Sequence, residues 1–332
     1  MSGVRAILPF RPRWSTFLFV LLLSSTKAFG FEENKPQLRA FREKLVGLGF
    51  TAIPLERTDD KRIYALVTIH GKVTRWLVDS SSAMSRSIPS FVKNLPLAGT
   101  NGEPEHDAVL GPLTNHPNPI YIIPQLSIGS LTISNTPVTA FSLHGREQLT
   151  GVFGLDFLIR NDCLIECSKP TLYVRNWESA TKANRDHEVS DVAKGIYACP
   201  MKLTKIGMQV PAIINTYRVL LVVATASWAT FLDDSTAARF KIRGEASSTY
   251  ALGPTQVEKS ARKFTAKMLA LGFFRIGNAD IGIVDLDALN PRSSAEDIDR
   301  VAGTLGMEHM MWNFGLIDVC GGHLFLAPTQ PR

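Results

Sequence analysis

The sequence has few cysteines, no long basic run and no apolar stretch long enough to cross a membrane comfortably. The four cysteines are Cys163, Cys167, Cys199 and Cys320, and no histidine stands at zinc-ligand spacing from them. Nothing therefore points to a metal or a cofactor. An even count would permit two disulfides in an exported chain. Cys163 and Cys167 cannot bridge each other, because they lie four apart on one face of an expected strand; small buried hydrophobes is the reading for the cysteines. The net charge of +6 invites a nucleic-acid partner, but residues 1–30 hold Arg5, Arg11, Arg13 and Lys27 and no acid. Removing those four leaves 32 basic against 30 acidic residues, which argues against nucleic acid. Hydrophobic content of 45% and charged content of 20% argue against extensive disorder.

Residues 1–30 read as a targeting segment. A basic start precedes the apolar run Phe17–Leu23, and Ala28-Phe29-Gly30 places small residues two apart. The run falls short of the ~20 residues of a membrane span. A cleaved signal peptide is expected, with an uncleaved N-terminal membrane anchor as the alternative. Either places the body outside the cytoplasm, in a periplasmic or extracellular setting.

The largest absence is one aspartate. The apolar run Trp76-Leu77-Val78 delivers Asp79-Ser80-Ser81-Ser82 into a tight turn, and Leu220-Leu221-Val222-Val223 delivers Ala224-Thr225-Ala226-Ser227. The two runs belong to an internal repeat. Ala52–Leu55 matches Ala198–Met201, Ile69–Val78 matches Ile214–Val223, and Leu110-Gly111-Pro112 matches Leu252-Gly253-Pro254. Ile133-Ser134-Asn135 matches Ile276-Gly277-Asn278, Gly151–Asp156 matches Gly303–Glu308, and Leu164-Ile165-Glu166 matches Leu316-Ile317-Asp318. The offsets are 146, 145, 142, 143, 152 and 152, with one jump near Asp285–Asp299, where the second copy carries an extra polar loop. Six matches in one order identify a duplicated lobe.

Each copy reads as many short strands with turns between them. Tyr64–Ile69, the His70-Gly71-Lys72 turn and Val73–Val78 form a hairpin. Short helices are expected at Ile88–Lys93, at Ser235–Phe240 behind an Asp233 or Asp234 cap, and near Gly154–Leu158. Four strands follow the first turn: Ile120–Ile123, Leu126–Ile128, Leu131–Ile133 and Val138–Phe141. A hairpin, Cys163–Val174, closes the copy. The predicted domains are 31–176 and 197–332, joined by a polar linker, 177–196.

This order of elements resembles the retropepsin-like aspartic peptidases, of pepsin and retropepsin type, over roughly 45–176 and 197–328. The resemblance implies two β-barrel lobes facing a cleft, with a few short helices and flaps near Gly111 and Gly253. It also implies an Asp-Thr-Gly triplet on each lobe, and here the triplets are degenerate: Asp79-Ser80-Ser81 and Ala224-Thr225-Ala226. Peptide hydrolysis by that route needs two carboxylates a few ångströms apart, whose repulsion makes one an acid and the other a base. Asp79 is the candidate catalytic residue, and its partner position holds a methyl group. Ser80 and Thr225 keep a hydroxyl that can brace the turns, while Ser81 and Ala226 place a Cβ where glycine would leave room.

Other acids offer no substitute. Asp233 and Asp234 belong to a helix start, and Asp156 and Glu308 read as caps or braces. Ser80-Ser81-Ser82 lacks a Gly-x-Ser-x-Gly context. The seven histidines, among them His309 and His323, read as surface or turn residues. The expectation is an exported protein with impaired catalysis that binds peptide or protein in the cleft. The alternatives are an active peptidase with its dyad completed across a homodimer, and an exported β protein with no useful cleft.

Overall fold

The computed structural model describes residues 36–59, 61–107, 111–140, 149–175, 185–204, 206–252, 257–286 and 301–328. Residues 1–30, expected to be a targeting segment, Gly253-Pro254 and nearly all of the polar insertion lie outside these residues. In chain order the first half carries α1 (Pro36–Gly47), β1 (Phe50–Pro54), β2 (Glu56–Arg57), β3 (Ile63–Ile69), β4 (Lys72–Val78), β5 (Arg86–Ser87), α2 (Pro89–Val92), β6 (Leu97–Asp107), β7 (Gly111–Ile128), β8 (Leu131–Ala140), β9 (Gly151–Phe153), α3 (Leu155–Arg160), β10 (Cys163–Glu166) and β11 (Thr171–Arg175). The second half carries α4 (Arg185–Val192), β12 (Tyr197–Pro200), β13 (Lys202–Thr204), β14 (Gly207–Ile214), β15 (Tyr217–Ala224), β16 (Phe231–Asp233), α5 (Asp234–Arg239), β17 (Glu245–Leu252), β18 (Val257–Leu271), β19 (Phe274–Val284), β20 (Val301–Gly306), α6 (Met307–Trp312), β21 (Leu316–Asp318) and β22 (His323–Leu326).

The duplication is visible in the strand order. One sheet runs β2-β3-β4-β9-β5-β8-β7-β6 and closes through a β3–β7 pairing. The other runs β13-β14-β15-β20-β16-β19-β18-β17 and closes through β14–β18. These are two similar, mostly β lobes with few short helices, as the repeat predicts. Left-handed backbone residues recur at the same offsets: His70 and Asn215, Gly129 and Gly272, Asn135 and Asn278, Asp162 and Phe314. Such conformations are disfavoured for most L-residues, so their recurrence marks one backbone built twice.

The Gly-x-x-Gly pattern has a steric cause. A Cβ at Gly151 would strike the Trp76 ring and the Arg86 carbonyl, and one at Gly303 would strike the Phe231 backbone. A Cβ at Gly154 would meet Met84 and the Ser82 carbonyl, and one at Gly306 would meet Ala229. The glycines let one strand pass beneath its neighbours and abut the loop beyond each turn.

A third sheet, β1-β11-β10-β21-β22-β12, joins the lobes. Its centre is the antiparallel β10–β21 pair, with Ile165 opposite Ile317. One hydrophobic core runs through both barrels and this sheet. A second cluster gathers Leu38, Phe41 and Leu45 of α1, Val189 and Ala193 of the α4 region, and Leu164, Tyr173, Phe314, Leu316 and Phe325. The segment expected as a linker therefore contributes a helix and buried side chains. Fully buried Glu166 fixes α1: Arg42 donates through Nε at 3.0 Å and Nη2 at 2.5 Å, with Ser168 Oγ and Tyr173 OH each at 3.0 Å.

Three local expectations are corrected. The four strands after the first turn are two long ones, β7 and β8, joined at Gly129-Ser130. Pro124 and Asn135 read as breaks, yet the pairing continues past both, from Ile123–Thr136 to Gln125–Ser134. His309 is no surface residue: it is buried, with Nε2 3.3 Å from the Asp280 carbonyl. Cys163, Cys167 and Cys199 are buried as small hydrophobes, but Cys320 is exposed in the turn after β21.

Candidate functional site

Apolar β4 and β15 are driven into their barrels: Trp76, Leu77 and Val78 are fully buried, as are Leu221, Val222 and Val223. Each lies parallel to a short strand, β9 or β20, and ends at its turn. The two turns then repeat each other bond by bond. Ser82 N donates to Asp79 O (3.4 Å), and Ser227 N to Ala224 O (3.3 Å). Ser82 Oγ donates to Met84 O (2.9 Å), and Ser227 Oγ to Ala229 O (3.0 Å). Leu155 N donates to Ser82 O and Met307 N to Ser227 O, both at 2.8 Å. Gly154 N reaches Ser85 Oγ and Gly306 N reaches Thr230 Oγ1, both at 3.0 Å. Ser85 and Thr230 were missed in the sequence, although they are hydroxyl residues at the same 145-residue offset as the turns.

The turns also hold each other. Thr225 Oγ1 donates to Val78 O (2.7 Å) and accepts from Ser80 N (2.9 Å). Ser80 Oγ donates to Val223 O (2.7 Å) and accepts from Thr225 N (3.2 Å). All four bonds are buried, so a lost partner there would leave a donor or acceptor without water. The hydroxyls at 80 and 225 thus sit where a brace between lobes would be needed.

The symmetry breaks at two positions. Asp79 is fully buried, and its Oδ1 accepts from Ser81 N (2.9 Å) and Ser81 Oγ (2.6 Å). The mirror position holds the buried methyl of Ala224. Ala226, opposite Ser81 in the repeat, is buried against Tyr64, Leu77, Leu149 and Val152 of the first lobe. One turn therefore carries a carboxylate with its own hydroxyl donor, and the other carries methyl groups at both matching positions.

The remaining acids have other work. Asp233 accepts from Thr236 N, Ser235 Oγ and Leu286 N, so it caps α5 as expected. Asp234 pairs with Arg262. Asp156 accepts from Ser85 Oγ at 2.7 Å, and burial pushes its carboxyl up to about 6. Glu308 is raised by burial and by Asp280.

Of the implied flap positions, Gly111 opens β7, while Gly253 lies outside the described residues, beyond the end of β17. β6 and β7 pair as far as Asp107–Gly111, and β17 and β18 as far as Leu252–Val257. β6 and β17 are the last strands of their sheets.

No family model matches the chain, and no curated protein matches it. Among solved structures, the aspartic proteinase from Irpex lacteus is 12% identical, covering 85% of this chain and 98% of its own, with a TM-score of 0.49. Basic 7S globulin from soybean is 10% identical over 85% of this chain and 95% of its own, with a TM-score of 0.47. A retropepsin-like aspartic protease from Rickettsia conorii is 18% identical over 40% of this chain and 89% of its own, with a TM-score of 0.28. The twice-built barrel, the shared sheet and the crossed turn bonds give this chain the two-lobed acid-protease fold.

Proposed function

We propose that the chain is an exported protein of aspartic-peptidase build that no longer cleaves peptides and instead holds an extended peptide or protein segment between its lobes. One observation carries the first half. Around two turns that copy each other bond for bond, the position opposite Asp79 is Ala224. Ala224 brings a methyl group where the second turn would supply the second carboxylate, so the two turns do not present the pair in which one acts as base while the other protonates the carbonyl oxygen. Ala226 is packed into an apolar cluster of the first lobe, whereas Ser81, its match in the other copy, donates to a carboxylate.

A dyad completed by a second chain finds no seat in this reading. The place facing Asp79 is taken by the chain's own second turn, held by four buried bonds.

The binding half rests on the hairpins. β6 and β17 are long edge strands of 11 and 8 residues, and an unpaired edge can accept an extended peptide as an added strand. Export rests on residues 1–30 of the sequence. Hydrogen exchange of the purified chain, with and without a pool of unstructured decapeptides, tests the binding. Protection is expected at 97–107 and 245–252 and should survive Asp79→Asn. No protection at either edge would remove the binding half.

A further inference from the structure

None of the turn residues 79–82 or 224–227 lines a second feature, a cavity of about 440 Å³ built from both halves of the chain. That volume suits a small organic molecule. Phe50, Val189 and Met208 make its walls apolar, while Asp162, Arg175 and Asp318 bring charge. Asp318 is 4% exposed; its Oδ1 accepts from Gly321 N at 2.8 Å, and among the described residues nothing donates to Oδ2. A Cβ at Gly321 would collide with that carboxylate, so a glycine makes room for it.

The charges decide what fits. Arg175 is already engaged: its Nε lies 3.1 Å from Asp162 Oδ2, and its guanidinium sits 4.6 Å from the centre of the Phe50 ring. One guanidinium between two carboxylates leaves an excess of negative charge. An anion would meet two carboxylates and an occupied arginine. A hard metal ion would find no more than a few carboxylate oxygens, from Asp162 and Asp318, among apolar walls, where calcium takes six to eight oxygens. An ammonium group needs only a few acceptors and can carry an apolar body against the walls.

We propose that this cavity binds a small organic ammonium ion, its charge on Asp318 Oδ2 and its apolar body against Phe50, Val189 and Met208. Asp318 is suited to this. Burial pushes its carboxyl up to about 6, with Asp162 adding to the shift and Gly321 N–H, His323 and Arg175 opposing it. A cation at Oδ2 would supply the partner that burial denies it. Cys320, exposed and lining the same cavity, reports on occupancy.

The test compares 2-phenylethylamine hydrochloride with 2-phenylethanol, a neutral molecule of similar shape, on the full chain at pH 7.5. Titration calorimetry gives affinity, and mass spectrometry follows alkylation of Cys320 by iodoacetamide. The amine should bind about tenfold more tightly than the alcohol, as one charge-assisted hydrogen bond supplies, and should slow alkylation. Asp318→Asn keeps an acceptor for Gly321 N–H and should erase the preference. Equal binding of amine and alcohol, an undiminished preference in Asp318→Asn, or neither heat nor protection would overturn the proposal. If Asp318→Asn fails to fold, Leu203→Trp, which fills the cavity at its half-exposed wall, must lose amine binding; retained binding there overturns it equally.

Discussion

Ser80 and Thr225 each use a hydroxyl to grip the other's turn: Thr225 Oγ1 accepts from Ser80 N at 2.9 Å, and Ser80 Oγ accepts from Thr225 N at 3.2 Å. Each hydroxyl also donates to the carbonyl of the residue just before the opposite acid position, Val78 or Val223. The brace is complete although one acid is gone, so it holds the lobes in register whether or not chemistry takes place.

Thr225→Val removes one hydroxyl at nearly constant shape. It leaves Val78 O and Ser80 N without this partner in a buried setting. Urea unfolding should show a loss of about 2 kcal/mol, within the usual range for a buried group left unpaired. Thr225→Val combined with Ser80→Ala should cost less than the two singles added, because they break one shared network.

Asp156 makes stability depend on pH. Its folded carboxyl is raised from 3.8 to about 6, chiefly by burial, so the native state holds the proton more tightly than the unfolded chain. That contribution is fully present below pH 3.8 and is lost as pH rises through 6. Asp156→Asn should therefore gain on the wild type between pH 4 and pH 7.5, by about 3 kcal/mol at most. Comparing variant with wild type at each pH cancels the same-signed contribution of Asp318. A constant difference between them would contradict the burial assigned to Asp156.

The same glycine-to-alanine change should have opposite signs at two sites. Gly306→Ala drives a methyl into the Ala229 backbone and should lose about 1–3 kcal/mol in thermal unfolding. Gly47→Ala meets nothing within 4 Å at the end of α1 and should gain about 0.5 kcal/mol by restricting the unfolded chain.

Arg42 is the anchor of α1. Arg42→Met strands the fully buried Glu166 carboxylate and should cost about 3–5 kcal/mol. Hydrogen exchange should rise across 36–47 before it rises in β4 or β15.

Much of this architecture can be read from residues. The offsets near 145 and 152 locate two copies, and the left-handed residues that recur at those offsets show that the matches are backbone requirements rather than chance. Asp233 was legible as a cap because aspartate before a helix has one common use. Tertiary context hid the rest. Pro124 reads as a strand end, but a proline lacking an N–H can sit where no ladder bond is required of it. α1 carries Leu38, Phe41 and Leu45 at helical spacing, yet its partner surface is assembled from both halves of the chain. Buried His309 meets the backbone carbonyl of Asp280, 29 residues away, a contact that sequence spacing does not announce. At the candidate site, the absent acid was plain in the sequence. That Ala226 is packed into the opposite lobe was not, because its neighbours Tyr64 and Leu149 lie in the other copy.

The central claim is that one carboxylate at the turns is not enough, and cleavage of an unfolded protein substrate tests it most directly. Purified wild type and Asp79→Asn should be incubated with reduced, denatured casein from pH 3 to pH 7 and new amino termini counted. Equal counts for the two, at the level of substrate alone, are the predicted result. Cleavage by the wild type that disappears in Asp79→Asn would contradict the claim and restore the chain to the working peptidases.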